Sequence, residues 1–241
     1  LHLSIRRQRQ MCIRDRPRIA TVILKSLLQS KLLRITVAIL GSSAAVTVAS
    51  DDVEAALDKW EECGFVDCEG PDGVVSDGQI MVRVTEEAAP SVRLTYTTGS
   101  VERVAQKLRD KGVPYEANAS GTALTVPMPG GIIAEVLDHH LLDLPRISHE
   151  GNGELGYLEA LAIHVDDIQV ARAWGEKAGF FIIEEFGDPE PQCDMTDGLI
   201  RVSWRASALA NPTLVYEGDI AEGFRRLAIS PSLDIVVVPD L

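Results

Sequence analysis

The sequence contains few cysteines, and they lack a paired spacing. Its four cysteines stand at positions 12, 63, 68 and 193 of 241 residues, with no Cys-x-x-Cys pair. A disulfide framework or a cysteine-based zinc site needs more cysteines at closer, regular intervals. We therefore expect neither, and we expect a reducing, cytoplasmic compartment.

The sequence also lacks a long uninterrupted apolar run. Its most apolar stretch, 19–48, is broken by Lys25, Lys31 and Arg34. A membrane-spanning helix needs roughly 20 consecutive apolar residues. The sequence thus predicts no transmembrane helix and no membrane partner.

Two motifs of common catalytic and nucleotide-binding folds are missing as well. The glycine pairs at 130–131 and 151–153 lack the spacing of a phosphate-binding loop, and no Gly-x-Ser-x-Gly motif is present. These glycines are interpreted as turn and linker positions.

Basic residues are scarce outside the N-terminal region. The chain has 23 Lys and Arg against 36 Asp and Glu, and residues 1–40 hold nine of the basic residues but one acidic residue. The remaining chain is therefore strongly acidic and repels phosphate backbones. Nucleic acid is excluded as an expected partner.

The first residues differ in character from the rest of the chain. Residues 1–16 are basic and lack hydrophobic periodicity, and residues 10–16 resemble the translation of a sequencing-library adapter. We interpret 1–16 as a non-native segment and 17–43 as an N-terminal extension, and we expect the chain to be a fragment.

An internal repeat is the strongest positive signal. Residues 46–53 recur as 161–168, residues 63–65 match 178–180, residues 77–80 match 197–200, and residues 93–96 match 213–216. The offset changes from 115 to 120 residues across the proline-containing stretch 188–191. One loop insertion between two copies of the same domain explains this change.

Each copy alternates between strand and helix periodicity. Apolar residues two apart precede an Asp or Ser, and apolar residues at helical spacing follow it. This pattern predicts four helices, which follow Asp51, Ser100, Asp167 and Asp219. Short strands are predicted between them, so four strand–helix units form two pairs.

This order of elements resembles the βαβββ module of the vicinal-oxygen-chelate superfamily, which includes glyoxalases, bleomycin-resistance proteins and dioxygenases. The resemblance rests on a hydrophobic strand, Asp-Asp, a helix, Gly-Phe and then Asp-Gly-x-Ile. It implies an α+β fold in which tandem modules form two open barrels around cavities. The expected organisation is a first domain at 44–140, a linker at 141–156 and a second domain at 157–241.

The second domain is expected to be incomplete at its C-terminal end. The first domain continues from 123–127 into a further strand at 132–137, whereas the stretch matched to 123–127, residues 236–241, ends the chain. The last strand of the second domain is therefore predicted to be missing.

Metal-using members of the superfamily place histidines or carboxylates near the start of each module's first strand and a glutamate on the last strand. The matching first-strand positions here are Ala45, Arg93, Ala160 and Thr213, which are poor ligands. Glu135, in Gly-x-x-x-Glu, is the one family-like ligand position. The resemblance thus implies no metal site and no other cofactor, and a divalent metal remains an unsupported alternative.

Strand alternation predicts which side chains face the cavities. Apolar residues alternate along each strand and face the helices, so the residues between them face the cavity. From the polar residues of this second set we select as ligand-binding candidates Arg83, Arg93, Thr95, Glu135, His164 and Arg201. Guanidinium groups in an apolar cavity require an anion, so a small polar or anionic molecule is the expected ligand. In the alternative, the arginines reach the rim or pair with Glu135.

The histidines have structural alternatives. His164 is interpreted as a partly exposed residue hydrogen-bonded to a neighbouring carboxylate, with Asp166 nearest in sequence. Asp138, His139 and His140 form an Asp/His cluster, but adjacent histidines on an extended segment point to opposite sides. We therefore interpret His139 and His140 as linker residues.

Three functions are compatible with these patterns. The first is metal-independent binding of a small polar or anionic molecule, and the second is a metal-dependent lyase or oxygenase with a degenerate site. The third is a structural role in protein association. An incomplete second barrel would expose strand edges, which predicts a homodimer.

Overall fold

Two mixed β-sheets form the framework of the computed structural model, which describes residues 38–89, 91–145, 154–187, 189–220 and 223–240. Within this part, residues from Ala38 to Pro239 form one compact unit. The predicted segment 1–16 and most of the predicted extension 17–43 lie outside the described residues.

The first sheet has eight strands in the order β2-β3-β4-β1-β5-β8-β7-β6. It consists of two modules, β1 to β4 and β5 to β8, whose first strands, β1 and β5, pair antiparallel. Within each module the first and last strands run parallel. The strands are β1 (Ser43–Ser50), β2 (Val66–Asp67), β3 (Val74–Ser76), β4 (Met81–Glu86), β5 (Val92–Thr98), β6 (Glu116–Ala117), β7 (Ala123–Pro127) and β8 (Ile133–Asp138).

The second sheet has seven strands in the order β10-β11-β12-β9-β13-β15-β14. Its central pair β9 and β13 is antiparallel, and β9–β12 and β13–β15 are parallel, as in the first sheet. The strands are β9 (Tyr157–His164), β10 (Phe181–Phe186), β11 (Gln192–Thr196), β12 (Arg201–Arg205), β13 (Thr213–Gly218), β14 (Arg225–Ala228) and β15 (Asp234–Pro239). The tandem βαβββ architecture predicted from the repeat is confirmed.

Three of the four predicted helices are present: α1 (Val53–Glu61), α2 (Val101–Lys111) and α3 (Ile168–Ala178). Each begins at a side chain that accepts hydrogen bonds from the first backbone N–H groups, as helix caps do. The caps of α2 and α3 are Ser100 and Asp167, as predicted. The cap of α1 is Asp52, which accepts from the Ala55 N–H, and not the predicted Asp51.

The helix predicted after Asp219 is wrong. Only residues 219–224 separate β13 from β14, and residues 225–228, the end of the predicted helix, form β14. Leu227 lies opposite Ile235 in the β14–β15 ladder. Apolar residues at 220, 224 and 227 fit a helical period, but pairing with β15 satisfies the backbone of residues 225–228.

The second sheet is shorter than the first, as expected, but its last strand is not the missing part. Asp234 of β15 lies opposite Thr213 of β13, just as Ile133 of β8 lies opposite Arg93 of β5. Since Thr213 and Arg93 are matching positions in the repeat, β15 is the counterpart of β8. Instead, the described residues of the fourth module include no helix and no short strand that correspond to α2 and β6.

Each sheet packs its apolar parity against the helices. Val46, Leu94 and Tyr96 of the first sheet and Leu161 and Leu214 of the second are fully buried in one hydrophobic core. The helices contribute further buried residues to this core, which include Ala56, Trp60, Val104, Leu108 and Ala171. The predicted parity of the apolar residues is therefore observed in both domains.

Tyrosines and aspartates at matching repeat positions meet across the two domains. The Tyr216 hydroxyl donates to Asp77 Oδ2 at 2.7 Å in a buried site. The matching Tyr96 hydroxyl and Asp197 carboxylate are close enough that their side-chain interaction contributes to raising the pKa of Tyr96, but the contact is too long or too poorly aligned to count as a hydrogen bond of the kind that Tyr216 makes. The two tyrosine–aspartate contacts thus occupy matching positions of the repeat, but only the Tyr216–Asp77 contact has the geometry of a hydrogen bond.

Gln79 also joins the domains and does not line a cavity. Its side-chain amide donates to the Gly156 carbonyl at 2.7 Å, and its oxygen accepts from the Leu158 N–H at 2.8 Å. The side chain therefore completes backbone hydrogen bonding at the start of β9.

None of the helices in the described ranges is long and apolar enough to cross a membrane. The edge strands are β2 and β6 in the first sheet and β10 and β14 in the second. Homodimerisation through such edges stays a prediction.

Candidate functional site

The concave face of the first sheet carries four of the six predicted site residues. Arg83 and Arg93 lie on β4 and β5, each opposite Thr47 of the intervening β1. Thr95 and Glu135 lie opposite each other on β5 and β8. This face therefore brings Arg83, Arg93, Thr95 and Glu135 together.

Arg93 is neutralised within the protein. Its Nη2 donates to Glu87 Oε1 at 2.5 Å, and its Nε lies 3.4 Å from Glu135 Oε2. Burial would lower the pKa of Arg93, but the bond to Glu87 and the charge of Glu135 outweigh it and raise that pKa. The alternative in which Glu135 pairs with an arginine across the barrel is observed for Arg93.

Arg83 has a different environment from Arg93. Its side chain is half-buried, and within the described ranges its guanidinium makes neither a hydrogen bond nor an ion pair. Burial lowers its pKa; the Glu135 carboxylate opposes this effect and the Arg93 charge adds to it. Arg83 is therefore partly desolvated, and only the charges of Glu135 and Glu87, without a direct contact, compensate for this.

Two buried threonines lie on the same face as these arginines. Thr47 Oγ1 and Thr95 Oγ1 are 2.7 Å apart, and neither residue is exposed. One hydroxyl donates to the other, so the Thr95 side chain already has a hydrogen-bond partner within the protein.

An apolar cluster closes the rest of this concave face. Val74 on β3 lies opposite Arg83 on β4, and it packs with Ala45 and Met81. Leu142 and Leu144, from the segment predicted to be a linker, fold back onto the same cluster and are almost fully buried. The face thus combines an unpaired guanidinium with an apolar wall.

The concave face of the second sheet carries Arg201, which is paired with acids. Arg201 Nη2 donates to Asp194 Oδ2 at 2.6 Å and lies 3.4 Å from Glu159 Oε2. Asp194 is 2% exposed and also accepts from Gln192 at 2.8 Å. Burial would lower the pKa of Arg201, but attraction to Glu159 and Asp194 outweighs it and raises that pKa.

Glu159 was not identified from the sequence, because strand alternation assigns it to the helix side. The register of β9 against β13 shifts between Val215 and Tyr216, so that Val215 lies opposite Ala160 but Tyr216 lies opposite Leu158. This bulge lets Glu159 reach Arg201. Asp194 could have been identified, since Cys193 and Met195 beside it are apolar and buried.

His164 lies apart from both arginine groups. Its Nδ1 is 3.0 Å from the Ser207 carbonyl oxygen, and its Nε2 is 3.6 Å from Asp166 Oδ1. It lines a cleft of about 330 Å³ together with Gly130, Asp166 and Asn211. The structure therefore does not bring His164 or Arg201 to the site formed by Arg83.

Gly130 permits a close approach beside this cleft. It has φ +76°, and an added Cβ would lie 2.5 Å from the His164 carbonyl oxygen. A larger residue at position 130 would therefore push the first domain away from β9.

The metal positions implied by the superfamily do not fit a metal ion in either domain. In the first, Ala45 and Arg93 accompany Glu135, which already contacts Arg93. In the second, Ala160 and Thr213 accompany Val236, the counterpart of Glu135, since Val236 lies opposite Val215 as Glu135 lies opposite Thr95. Alanine and valine side chains provide no ligand atom, so the residues at these positions do not fit a metal ion.

Asp138, His139 and His140 do not lie on one extended segment, as the sequence had suggested. Asp138 is the last residue of β8, and His139 and His140 form the turn that follows it, where their imidazole rings lie with centroids 3.9 Å apart. Their interpretation as linker residues stays a prediction. One ligand atom from each of the three residues lies within 4.8 Å of the others.

Comparison with known proteins supports the fold. No protein-family model and no curated protein matches the sequence. A variant of homoprotocatechuate 2,3-dioxygenase from Brevibacterium fuscum matches with a TM-score of 0.57 and 12% identity, over 83% of this chain and 72% of that one.

Two further structures have similar scores. The Mn(II)-bound glyoxalase from Novosphingobium aromaticivorans has a TM-score of 0.53 and 12% identity, over 81% of both chains. The 2,2',3-trihydroxybiphenyl 1,2-dioxygenase from Sphingomonas wittichii has a TM-score of 0.52 and 12% identity, over 82% of this chain and 89% of that one. Together with the strand order, these matches show that the chain shares the tandem βαβββ fold of these dioxygenases and this glyoxalase, which is the fold that the resemblance in sequence implied.

Proposed function

We propose that this protein binds a small anionic molecule on the concave face of the first domain, without a metal ion, and that Arg83 is its anchor. The observation that carries the proposal is the half-buried Arg83 guanidinium with no hydrogen bond or ion pair to the described residues. Arginine presents planar paired donors that match a carboxylate. A carboxylate at this position would offset the desolvation cost of Arg83.

The neighbours of Arg83 indicate the chemical class of the ligand. Arg93 is held by Glu87 and Glu135 and adds limited net charge. On the other side, Val74 begins the apolar cluster that includes Met81 and Leu142. A small carboxylate with an apolar body, or a compound with adjacent oxygens, would place its charged end at Arg83 and its body against this cluster.

A metal-dependent lyase or oxygenase has less support. Its metal would need ligands at the positions occupied by Ala45, Arg93, Ala160, Thr213 and Val236, and these provide no suitable set. The solved structures that resemble this chain include dioxygenases and a Mn(II)-bound glyoxalase, but their identity to it is 12%. Similarity at that level supports the fold and not the reaction.

The proposal is tested by ligand-induced thermal stabilisation of the full chain. Pyruvate, oxalate and benzoate serve as anionic probes, and diacetyl serves as an uncharged dicarbonyl probe. We expect at least one anion to stabilise the wild type in the presence of EDTA. Arg83→Ala should weaken its binding by about tenfold or more, because a hydrogen bond to a charged group contributes about 1.5–3 kcal/mol.

Arg103→Ala is the matched control. Arg103 is exposed on α2, so its removal changes the net charge equally without touching the concave face. The control should bind the anion as the wild type does. The proposal is wrong if no anion stabilises the wild type, if EDTA abolishes binding, or if the two variants lose affinity equally.

A further inference from the structure

The turn that follows β8 brings together donor atoms with the chemistry of a metal site. Asp138, His139 and His140 offer one carboxylate and two imidazoles, with one ligand atom from each within 4.8 Å of the others. Imidazole nitrogen and carboxylate oxygen bind first-row transition ions at about 2.0–2.2 Å. Side-chain shifts of about 1 Å would therefore place all three donors around one ion.

Backbone hydrogen bonds hold this turn in shape. The His139 N–H donates to the Thr98 carbonyl at 2.9 Å, and the Leu141 N–H donates to the Asp138 carbonyl at 2.9 Å. The His140 N–H donates to Asp138 Oδ1 at 3.0 Å, which orients the carboxylate toward the histidines. The backbone of this turn is thus fixed by hydrogen bonds, which keeps the three side chains close to one another.

Two nearby oxygen atoms orient the imidazole ring of His139. Its Nδ1 lies 3.4 Å from the Thr98 carbonyl oxygen and 3.4 Å from Asp138 Oδ1. The Thr98 carbonyl and the Asp138 carboxylate therefore restrict the orientation of the His139 ring. The rings of His139 and His140 lie 3.9 Å apart with a tilt of 39°, so both are directed to the same side of the turn.

The turn is accessible and anchored at both ends. The side chain of His139 is 44% exposed and that of Asp138 is 26% exposed. Leu137 before it and Leu142 after it pack on the apolar cluster of the first concave face. A metal ion could therefore enter from solvent without displacing the core.

We propose that Asp138, His139 and His140 bind one divalent transition ion, with Zn²⁺ as the representative, and that water occupies its remaining coordination positions. This site is separate from the first-strand and last-strand positions that fail to provide ligands. It is also independent of the anion site at Arg83, because it uses none of the same residues.

Titration of the metal-free full chain with Zn²⁺ by isothermal calorimetry tests the proposal. We expect one high-affinity ion per chain, and we expect that His139→Ala and His140→Ala each weaken its binding by at least about tenfold. Mg²⁺, which prefers oxygen ligands, should not compete. Thermal unfolding without metal checks that both variants are folded.

His164→Ala is the matched control, since His164 is a similarly exposed histidine outside the cluster. It should bind Zn²⁺ with wild-type affinity. The proposal is overturned if the wild type binds no Zn²⁺, if both cluster variants retain wild-type affinity, or if His164→Ala loses as much affinity as they do. None of these results depends on whether an anion binds at Arg83.

Discussion

The two domains share one fold, but their concave faces are filled in different ways. In the first, Leu142 and Leu144 cover an apolar cluster, and Arg83 lacks a direct partner within the described residues. In the second, Arg201 pairs with Asp194 and Glu159. The same sheet therefore supports one face with a guanidinium that has no direct partner among the described residues and one face whose arginine is paired with acids.

Repeat positions show how few substitutions separate the two faces. The repeat aligns Arg83 with Ser203, Met81 with Arg201 and Val74 with Asp194. Each exchange replaces an apolar or neutral group by a charged one, or the reverse. The second face gains an internal ion pair at the positions where the first has its apolar cluster.

The largest expected effect comes from breaking the buried pair of the second face. Asp194→Ala leaves Arg201 without its closest hydrogen-bond partner, and we expect a loss of about 3 kcal/mol in the free energy of unfolding. In the first face, Glu87→Ala removes an acid whose side chain is 37% exposed, and it should cost about 1 kcal/mol or less. Urea unfolding of both variants measures the difference, and equal losses would contradict it.

A smaller effect is expected at the repeat-related tyrosines. Tyr216→Phe leaves buried Asp77 Oδ2 without its hydroxyl donor and should cost about 1–2 kcal/mol. Tyr96→Phe removes a hydroxyl whose contact with Asp197 has poorer geometry, so its cost should be smaller, about 1 kcal/mol or less. Thermal unfolding distinguishes the two. A larger loss for Tyr96→Phe would show that the contact is stronger on that side.

The smallest effect is a pH dependence at Glu159. Burial raises the pKa of Glu159 above its ordinary value of 4.5, and Arg201 partly opposes this shift. The folded chain then binds this proton more tightly than the unfolded chain. The contribution of Glu159 to stability therefore falls as pH rises from 4.5 through the raised pKa.

Glu159→Gln removes this titration. Its unfolding free energy, measured relative to the wild type by urea unfolding, should increase between about pH 4 and about pH 7. Glu102→Gln, an exposed substitution on α2, controls for the loss of a negative charge. A constant difference between Glu159→Gln and the wild type would refute the expectation.

Much of the fold could be predicted from residue order. The repeat, the alternation of apolar residues and the caps Ser100 and Asp167 were sufficient for three helices and for the faces of the central strands. These features depend on neighbours in sequence. The prediction of a helix after Asp219 was wrong because the end of that segment, β14, pairs as a strand with β15. The sequence comparison had matched β15 to a different strand of the first domain, so this pairing was not expected.

The candidate site was less predictable, because it depends on contacts between distant residues. Parity placed Arg83, Arg93, Thr95 and Glu135 on one face, and the register of β1, β4, β5 and β8 confirms this placement. Parity could not show that Arg93 is paired while Arg83 is not. It also assigned Glu159 to the wrong side, because a bulge in β9 changes the alternation.

The sequence by itself determined the duplicated βαβββ plan and the side of each central strand that packs on helices, because alternation and helical spacing are local properties of the chain. Only the tertiary structure decided which arginine has a partner, how Leu142 and Leu144 cover the first face, and that the rings of His139 and His140 lie together. These features depend on register, on a turn and on side chains that are far apart in sequence. Local pattern does not fix such distances, and the chemistry of each site depends on them.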